Sequence, residues 1–402
     1  MPVKISCCCK RREIKDMASS VSKAVAPLDA LPVSRPSLGA EELQLVGKVF
    51  DSGWLGMGST VLEFETRLSR YLGAEHVVAV NSGTSALHLA LAALGIGAGD
   101  EVIVPSLTFC AGVQAIVAAG ASPVFCDVSA HDLMLDVADA TGRITDRTRA
   151  IMPVHYCGQA CDMDALLAAA RPRGIAVVED AAHAIGTRYH GRLIGSFGDS
   201  TCFSFDPIKN LTCGEGGAVV VSDAAVAEEL RRRRILGIDK DTWHRYRNER
   251  SWFYEVVSPG YRYHMSNINA AIGLAQLPKL DRFLQRKREV VQRYNDAFTG
   301  LDFVRTLTWN VPASAPFTYI IRVLDGQRDR AIAELAKRAV GTGIHYIPNH
   351  TQPFFRQYAR GPLPTTERLG EEILTLPLYA DMTDADADRV IDAVREFAGG
   401  TA

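Results

Sequence analysis

Between residues 76 and 221 short apolar runs recur with helix-like stretches between them, and this alternation constrains the fold more than anything else in the chain. His76-Val77-Val78-Ala79-Val80 reads as a strand that stops at Asn81-Ser82-Gly83. The Ala- and Leu-rich stretch 85–94 then has the composition of a buried helix. Further apolar runs follow at 101–105, 123–127, 150–155 and 175–180, with helical stretches at 112–119 and 163–170. Two more strands are expected near 201–205 and 217–221. Strands that lack polar alternation are covered on both faces, as in a largely parallel sheet lying between helices. The expected class is therefore α/β.

After residue 275 the order changes. A long amphipathic helix is expected at 279–297, a strand at 318–323, and helices at 329–340 and 384–397, the last with Thr383 as its N-cap. This predicts a large α/β domain over 29–275 and a small α+β domain over 276–402. Residues 1–28 read as a disordered leader, or as an upstream start ahead of Met17. Lys10-Arg11-Arg12 is not followed by an apolar segment, so a secretory signal is not expected. No run of about 18 apolar residues occurs, so no membrane partner is expected and the location is read as cytoplasmic. A net charge of -2 provides no global basic field for nucleic acid. The nine cysteines are an odd number and fit reduced thiols better than a disulfide framework. Cys157 and Cys161 lack a second pair at finger spacing, so no metal is expected. Arg and aromatic residues crowd together over 239–259, which is expected to be an exposed excursion at a subunit interface.

Three separated segments carry the chemistry. Asn81-Ser82-Gly83-Thr84-Ser85 joins a strand to a helix, and the N–H groups and dipole of a helix start favour a phosphate. Val177-Val178-Glu179-Asp180-Ala181-Ala182-His183 ends a buried strand in acids, at the edge where open α/β sheets bind ligands. Phe203-Ser204-Phe205-Asp206-Pro207-Ile208-Lys209-Asn210 places a lysine after a strand and a Pro turn, and Gly214-Glu215-Gly216-Gly217 returns the chain. A lysine among apolar residues can serve as a nucleophilic amine. Each segment alone has an ordinary alternative: a helix cap, an acidic cap and a solvated lysine. Together they match what an aldehyde cofactor with a phosphate and a pyridine ring requires.

These segments, with Ser52-Gly53-Trp54, Val104-Pro105-Ser106-Leu107-Thr108-Phe109, Pro153-Val154-His155-Tyr156 and Gly260-Tyr261-Arg262-Tyr263, resemble the DegT/DnrJ/EryC1/StrS family of sugar aminotransferases. The resemblance runs from about residue 31 to 397, and within the family it is nearest to 4-aminotransferases of nucleotide-linked 4-keto sugars. It implies a fold-type I pyridoxal-phosphate (PLP) enzyme: a mainly parallel seven-stranded sheet between helices plus a small C-terminal domain. It also implies a homodimer with shared sites, a nucleotide-sugar substrate and an amino-acid donor, glutamate by family habit. Transferred by position, Lys209 would form the Schiff base and shuttle the proton, and Asp180 would hold the pyridinium proton. Phe109 would stack on the ring and His183 would sit by its 3-hydroxyl. Ser82, Gly83, Thr84 and Ser204 would hold the phosphate, with Arg262 or His264 reaching the neighbouring subunit's phosphate. Tyr346 and His350 are candidates for the substrate. Asp206, where the family commonly has His, and His264, where it often has Arg or Asn, are departures. Cations for a diphosphate are expected over 231–250. A sugar dehydratase of the same fold is the alternative, although those relatives carry His where Lys209 stands. A C3-keto sugar, a cyclitol ketone and a non-catalytic binding protein also stay open.

Overall fold

The structure is a computed structural model and describes residues 30–239 and 254–399. The Cys-rich leader and most of the Arg/aromatic stretch, including Arg245, Arg247 and Arg250, lie outside the described residues.

The central sheet has seven strands: β1 (His76–Val80), β2 (Glu101–Pro105), β3 (Ser122–Cys126), β4 (Thr148–Ile151), β5 (Ala176–Asp180), β6 (Ser200–Ser204) and β7 (Gly217–Val221). Their spatial order is β1-β7-β6-β5-β4-β2-β3. The β2–β3, β2–β4, β4–β5 and β5–β6 pairs are parallel, and β7 runs antiparallel to both of its neighbours. The continuous apolar runs are explained by cover on both faces. Val77 and Ala79 enter a core with Phe64 and Leu68, while Val78 and Val80 enter another with Leu87 and Leu91. Alternate side chains of one strand thus feed opposite layers. The helix Gly83–Ala93 is buried continuously from Ser85 to Ala92, which accounts for its unbroken Ala/Leu composition.

A second, antiparallel sheet contains β8 (Val304–Thr306), β9 (Tyr319–Val323) and β10 (Ile373–Leu376). The terminal helix Asp384–Gly399 packs in the same core. Thr383 begins it as expected: its hydroxyl accepts from Asp386 N at 3.1 Å, and the Asp386 carboxylate accepts from Thr383 N at 2.9 Å. Leu31 also joins this core and donates its N–H to Ala339 O at 2.9 Å, a long-range docking that no local pattern announces. The helix Leu280–Phe298 spans both units, with Leu280 and Leu284 in the first core and Val290 to Phe298 in the second. Among the described residues no helix is long and apolar enough to cross a membrane.

Candidate active site

The carboxyl ends of β1, β5 and β6 converge on one cavity. Ser82, Gly83, Thr84, Phe109, Asp180, His183, Ser204, Lys209 and Tyr346 all line it, so residues spread over more than 250 positions of sequence meet there. Its volume of about 260 Å³ is below the roughly 300–1,000 Å³ of a drug-sized pocket. It therefore suits a compact ring with a phosphate, and a bulkier substrate must rest against its rim.

The cradle starts where β1 ends. Ser82 caps the helix, its hydroxyl accepting from Ser85 N at 3.0 Å. Gly83 lies directly over Ser204: a Cβ there would come 2.7 Å from the Ser204 Cβ. Only glycine allows the helix start and the end of β6 to approach this closely. Gly217 does the same below, where a Cβ would meet Ser82 O at 2.4 Å.

The two acids of β5 separate because successive strand residues face opposite ways. Glu179 is fully buried and saturated, accepting from Gly198 N at 2.8 Å, Thr201 Oγ1 at 2.7 Å and His155 Nε2 at 2.8 Å. His155 Nδ1 accepts from Cys161 N, which leaves the proton on Nε2. Asp180 faces the cavity and takes one backbone bond, from Ala182 N at 3.0 Å. Desolvation raises its proton affinity, opposed by that bond and by Lys209 and His155.

Lys209 lies on the loop after β6. Asp206 Oδ1 accepts from Ile208 N at 3.1 Å and Asp206 O from Lys209 N at 3.1 Å, so the acid that departs from the family pattern closes the turn carrying the lysine. The Lys209 amine sits 4.0 Å from the centroid of the buried Phe317 ring. Desolvation lowers it to about 8, against Asp180 and Asp206, which favour the charged form. His183 stacks on Phe317 with centroids 4.3 Å apart, and its Nε2 lies 3.2 Å from Tyr346 Oη. Burial holds the His183 ring well below its ordinary value, hence neutral, and its buried Nδ1 has no hydrogen-bond partner.

Other sequence candidates fall elsewhere. His350 is behind the cavity wall, its Nδ1 2.7 Å from Ser106 Oγ and its Nε2 3.3 Å from Glu367. It anchors its segment to the loop after β2, and the cavity-facing pair from that part of the chain is His345 and Tyr346. Arg262 and His264 do not line the cavity of their own chain. Their segment runs beside the end of β1, where Asn81 N donates to Tyr263 O at 2.7 Å and Asn81 Nδ2 to Arg262 O at 3.3 Å. The expected cation supply over 231–250 is partly consumed by the fold. Arg234 is 1% exposed, paired with Glu65 and bonded to Ala79 O at 2.9 Å, and Arg232 and Arg233 both pair with Glu229. Phe317, His345 and Glu215 were not anticipated at the site; Glu215 could have been read from the Gly-rich return, the other two had no local signal.

The cavity thus holds an unpartnered imidazole nitrogen, a poorly satisfied carboxylate, an amine of lowered proton affinity and a glycine-built cradle at a helix start. That set fits a phosphorylated pyridine aldehyde.

Comparison with known proteins agrees. Residues 36–395 match the DegT/DnrJ/EryC1/StrS aminotransferase family. The chain is 42% identical over 379 residues to the spore coat polysaccharide biosynthesis protein SpsC of Bacillus subtilis, covering 92% of this chain and 97% of that protein. Its fold matches the aminotransferase TlmJ of Streptoalloteichus hindustanus at 36% identity and a TM-score of 0.86, covering 92% of this chain and all of that one. It likewise matches the PLP form of the sugar aminotransferase Spr1654 of Streptococcus pneumoniae at 30% identity and a TM-score of 0.86, over 93% of this chain and 100% of that one. The seven-stranded fold, the cofactor-shaped cavity and these matches lead to one conclusion: the chain belongs to the DegT/DnrJ/EryC1/StrS aminotransferase family, and is a PLP-dependent sugar aminotransferase.

Proposed function

We propose that this enzyme transfers an amino group from an amino acid, glutamate, to the C4 keto group of a nucleotide-linked sugar. The observation that carries the reading is the meeting of Lys209, Asp180 and the Ser82–Thr84 helix start in one small cavity. When bound, PLP supplies an electron sink that stabilises negative charge on the carbon bearing the transferred nitrogen. In this reading Asp180 holds the proton of the ring nitrogen, which requires a carboxylate beside a buried cation. His183, which lines the cavity, would stand by the ring hydroxyl. Ser82, Gly83, Thr84 and Ser204 take the phosphate, Phe109 covers the ring, and Tyr346 meets the sugar. Lys209 would be the amine that holds the cofactor, and its lowered proton affinity would suit it to take and return a proton at its own nitrogen.

The limited volume of the cavity supports a site completed from outside. A cavity of about 260 Å³ is small for a ring, a phosphate and a nucleotide together, and Phe109 remains 54% exposed at the mouth. A homodimer in which Arg262 or His264 of one subunit approaches the other's phosphate accounts for both. The test is incubation with glutamate and a panel of nucleotide keto sugars, read by mass spectrometry. The C4-keto substrates gain one nitrogen in place of oxygen while 2-oxoglutarate accumulates in equal amount. Product from cyclitol ketones alone overturns the nucleotide-sugar assignment, and product from C3-keto sugars alone overturns the regiochemistry.

A further inference from the structure

Side chains from distant parts of the chain hold the loops that line the cavity. Beside Lys209, the buried Lys287 of the helix Leu280–Phe298 donates to Asn210 Oδ1 at 2.7 Å, a neutral amide rather than a carboxylate. On the wall that carries Phe109 the same task falls to Asn349, which is 1% exposed. Its backbone N–H donates to Ser106 O at 2.8 Å. Its Nδ2 donates to Ser106 O at 3.1 Å and to Thr108 O at 2.7 Å, so both amide protons go to one loop. The next residue adds a strap, with His350 N donating to Ser106 Oγ at 3.0 Å.

That loop needs an outside partner. β2 ends at Pro105, Ser106 N still donates to Cys126 O at 3.2 Å, and the helix Cys110–Ala118 starts only after Phe109. The carbonyls of Ser106 and Thr108 fall between sheet and helix, in residues that are 0% and 2% exposed. Buried carbonyls without a partner are costly. One backbone N–H reaches one of them, whereas the asparagine amide reaches both. Thr108 leads directly into Phe109, and Tyr346 stands three residues before Asn349. Asn349 therefore joins the two stretches of backbone from which the two rings spring. Phe109 is half exposed, so burial does not fix its ring, which meets that of Tyr346 at 5.4 Å and 44°. The segment with Tyr346 is tied in turn to the second sheet, where Gly343 pairs with Thr375 of β10.

We propose that Asn349 is a positioning residue for this aromatic wall, fixing the 106–109 loop against the Tyr346 segment so that Phe109 is in place before a ligand arrives. The inference rests on the reading in which Phe109 covers the PLP ring. A loop ordered in advance spares the ligand the entropy of ordering it.

The test is equilibrium titration of apo-protein with PLP in wild type, Asn349→Ala, Phe109→Ala and the double variant, with melting of each apo-protein alongside. Asn349→Ala is expected to weaken PLP binding by about three- to tenfold, the size of one or two hydrogen bonds. In the Phe109→Ala background the same change should cost less than about twofold, because the ring it positions is gone. Equal losses in both backgrounds, or unchanged affinity with only a lower melting temperature, make Asn349 a packing residue and overturn the proposal. A Phe109→Ala variant that binds PLP as wild type does overturns the reading of Phe109, and the positioning role with it. An additive pair in which Phe109→Ala is weakened overturns the positioning role alone. Should Asn349→Ala fail to fold, Asn349→Ser, too short to bridge both carbonyls, takes its place in the cycle. Should Ser also fail, hydrogen exchange of the wild type decides. Amides over 106–109 and 345–349 must exchange at a common rate and slow together when PLP binds, and protection of one stretch without the other overturns the proposal.

Discussion

The last two residues of β5 separate two environments within one peptide unit. On one face Glu179 accepts from Gly198, Thr201 and His155, and His155 is satisfied in turn by Cys161. On the other, Asp180 has a single backbone donor, His183 has an unpartnered nitrogen, and Lys209 rests over a ring. Buried polar groups are normally paired. The saturated face therefore holds the strand ends in register. The undersatisfied face stores interactions for something that binds. The difference teaches that the site is defined less by which residues are polar than by which are left short of partners.

The sharpest break of this contrast is Lys209→Ala. Turnover should fall by about three orders of magnitude or more, and the visible band of bound PLP should vanish. Apo-protein stability should hold or rise, since a desolvated cation is removed. Next come the two acids. Asp180→Asn should lower kcat by about 10²–10³-fold with the apo-protein melting near wild type, because the Oδ1 acceptor for Ala182 remains. Glu179→Gln should do the reverse. Its amide would face three donors, destabilising the fold by roughly 2–4 kcal/mol, while the folded fraction keeps most of its activity. If both variants lose activity equally and neither loses stability, the contrast between the faces fails.

A smaller effect is carried by pH. Lys287 sits near 7 in the folded apo-protein against an ordinary 10.5, so between those values the unfolded chain binds more protons. Stability must then rise with pH across that window, and it is the protonated form that strains the fold near and below 7. The melting temperature of the apo-protein should rise by roughly 2–4 °C more in wild type than in Lys287→Met between pH 7 and 9. Equal slopes would falsify the assignment of an uncompensated ammonium at this position.

What could be read from the sequence was local. Ser82 to Ser85, Asp180 and Lys209 each stand at a strand end with small or turn-forming neighbours, so the strand pattern marked the edge where they gather. The sheet itself was readable because doubly covered strands have no polar alternation. What stayed hidden depends on distant contacts. Lys287 meets Asn210 across 77 positions and Asn210 meets Ala315 across 105. Phe317 has no motif, only a place beneath Lys209. Arg234 falls in the stretch expected to supply cations for a diphosphate, yet a partner 169 positions away, Glu65, pulls it into the core. His350 looked available for substrate because nothing local announces the Ser106 hydroxyl that holds it.

The mildest expected effect concerns an aromatic residue that the fold leaves open. Phe317 is 1% exposed and packs beneath Lys209, whereas Phe109 is 54% exposed and its ring lies 5.4 Å from that of Tyr346. An exposed phenyl ring on a cavity rim costs solvation unless a ligand covers it. Stacking of such a ring contributes about 0.5–1.5 kcal/mol beyond its area. Phe109→Ala should therefore weaken PLP binding by about tenfold or less without lowering the apo-protein melting temperature. Phe109→Tyr should restore the affinity, because it keeps the face of the ring, and Phe109→Leu should restore only part, because it returns area without a π-system. Equilibrium titration of apo-protein with PLP separates these cases. Equal affinity in the Leu and Tyr variants would show that Phe109 merely excludes water from Lys209. A lower melting temperature in the Ala variant would return Phe109 to the structural side of the comparison.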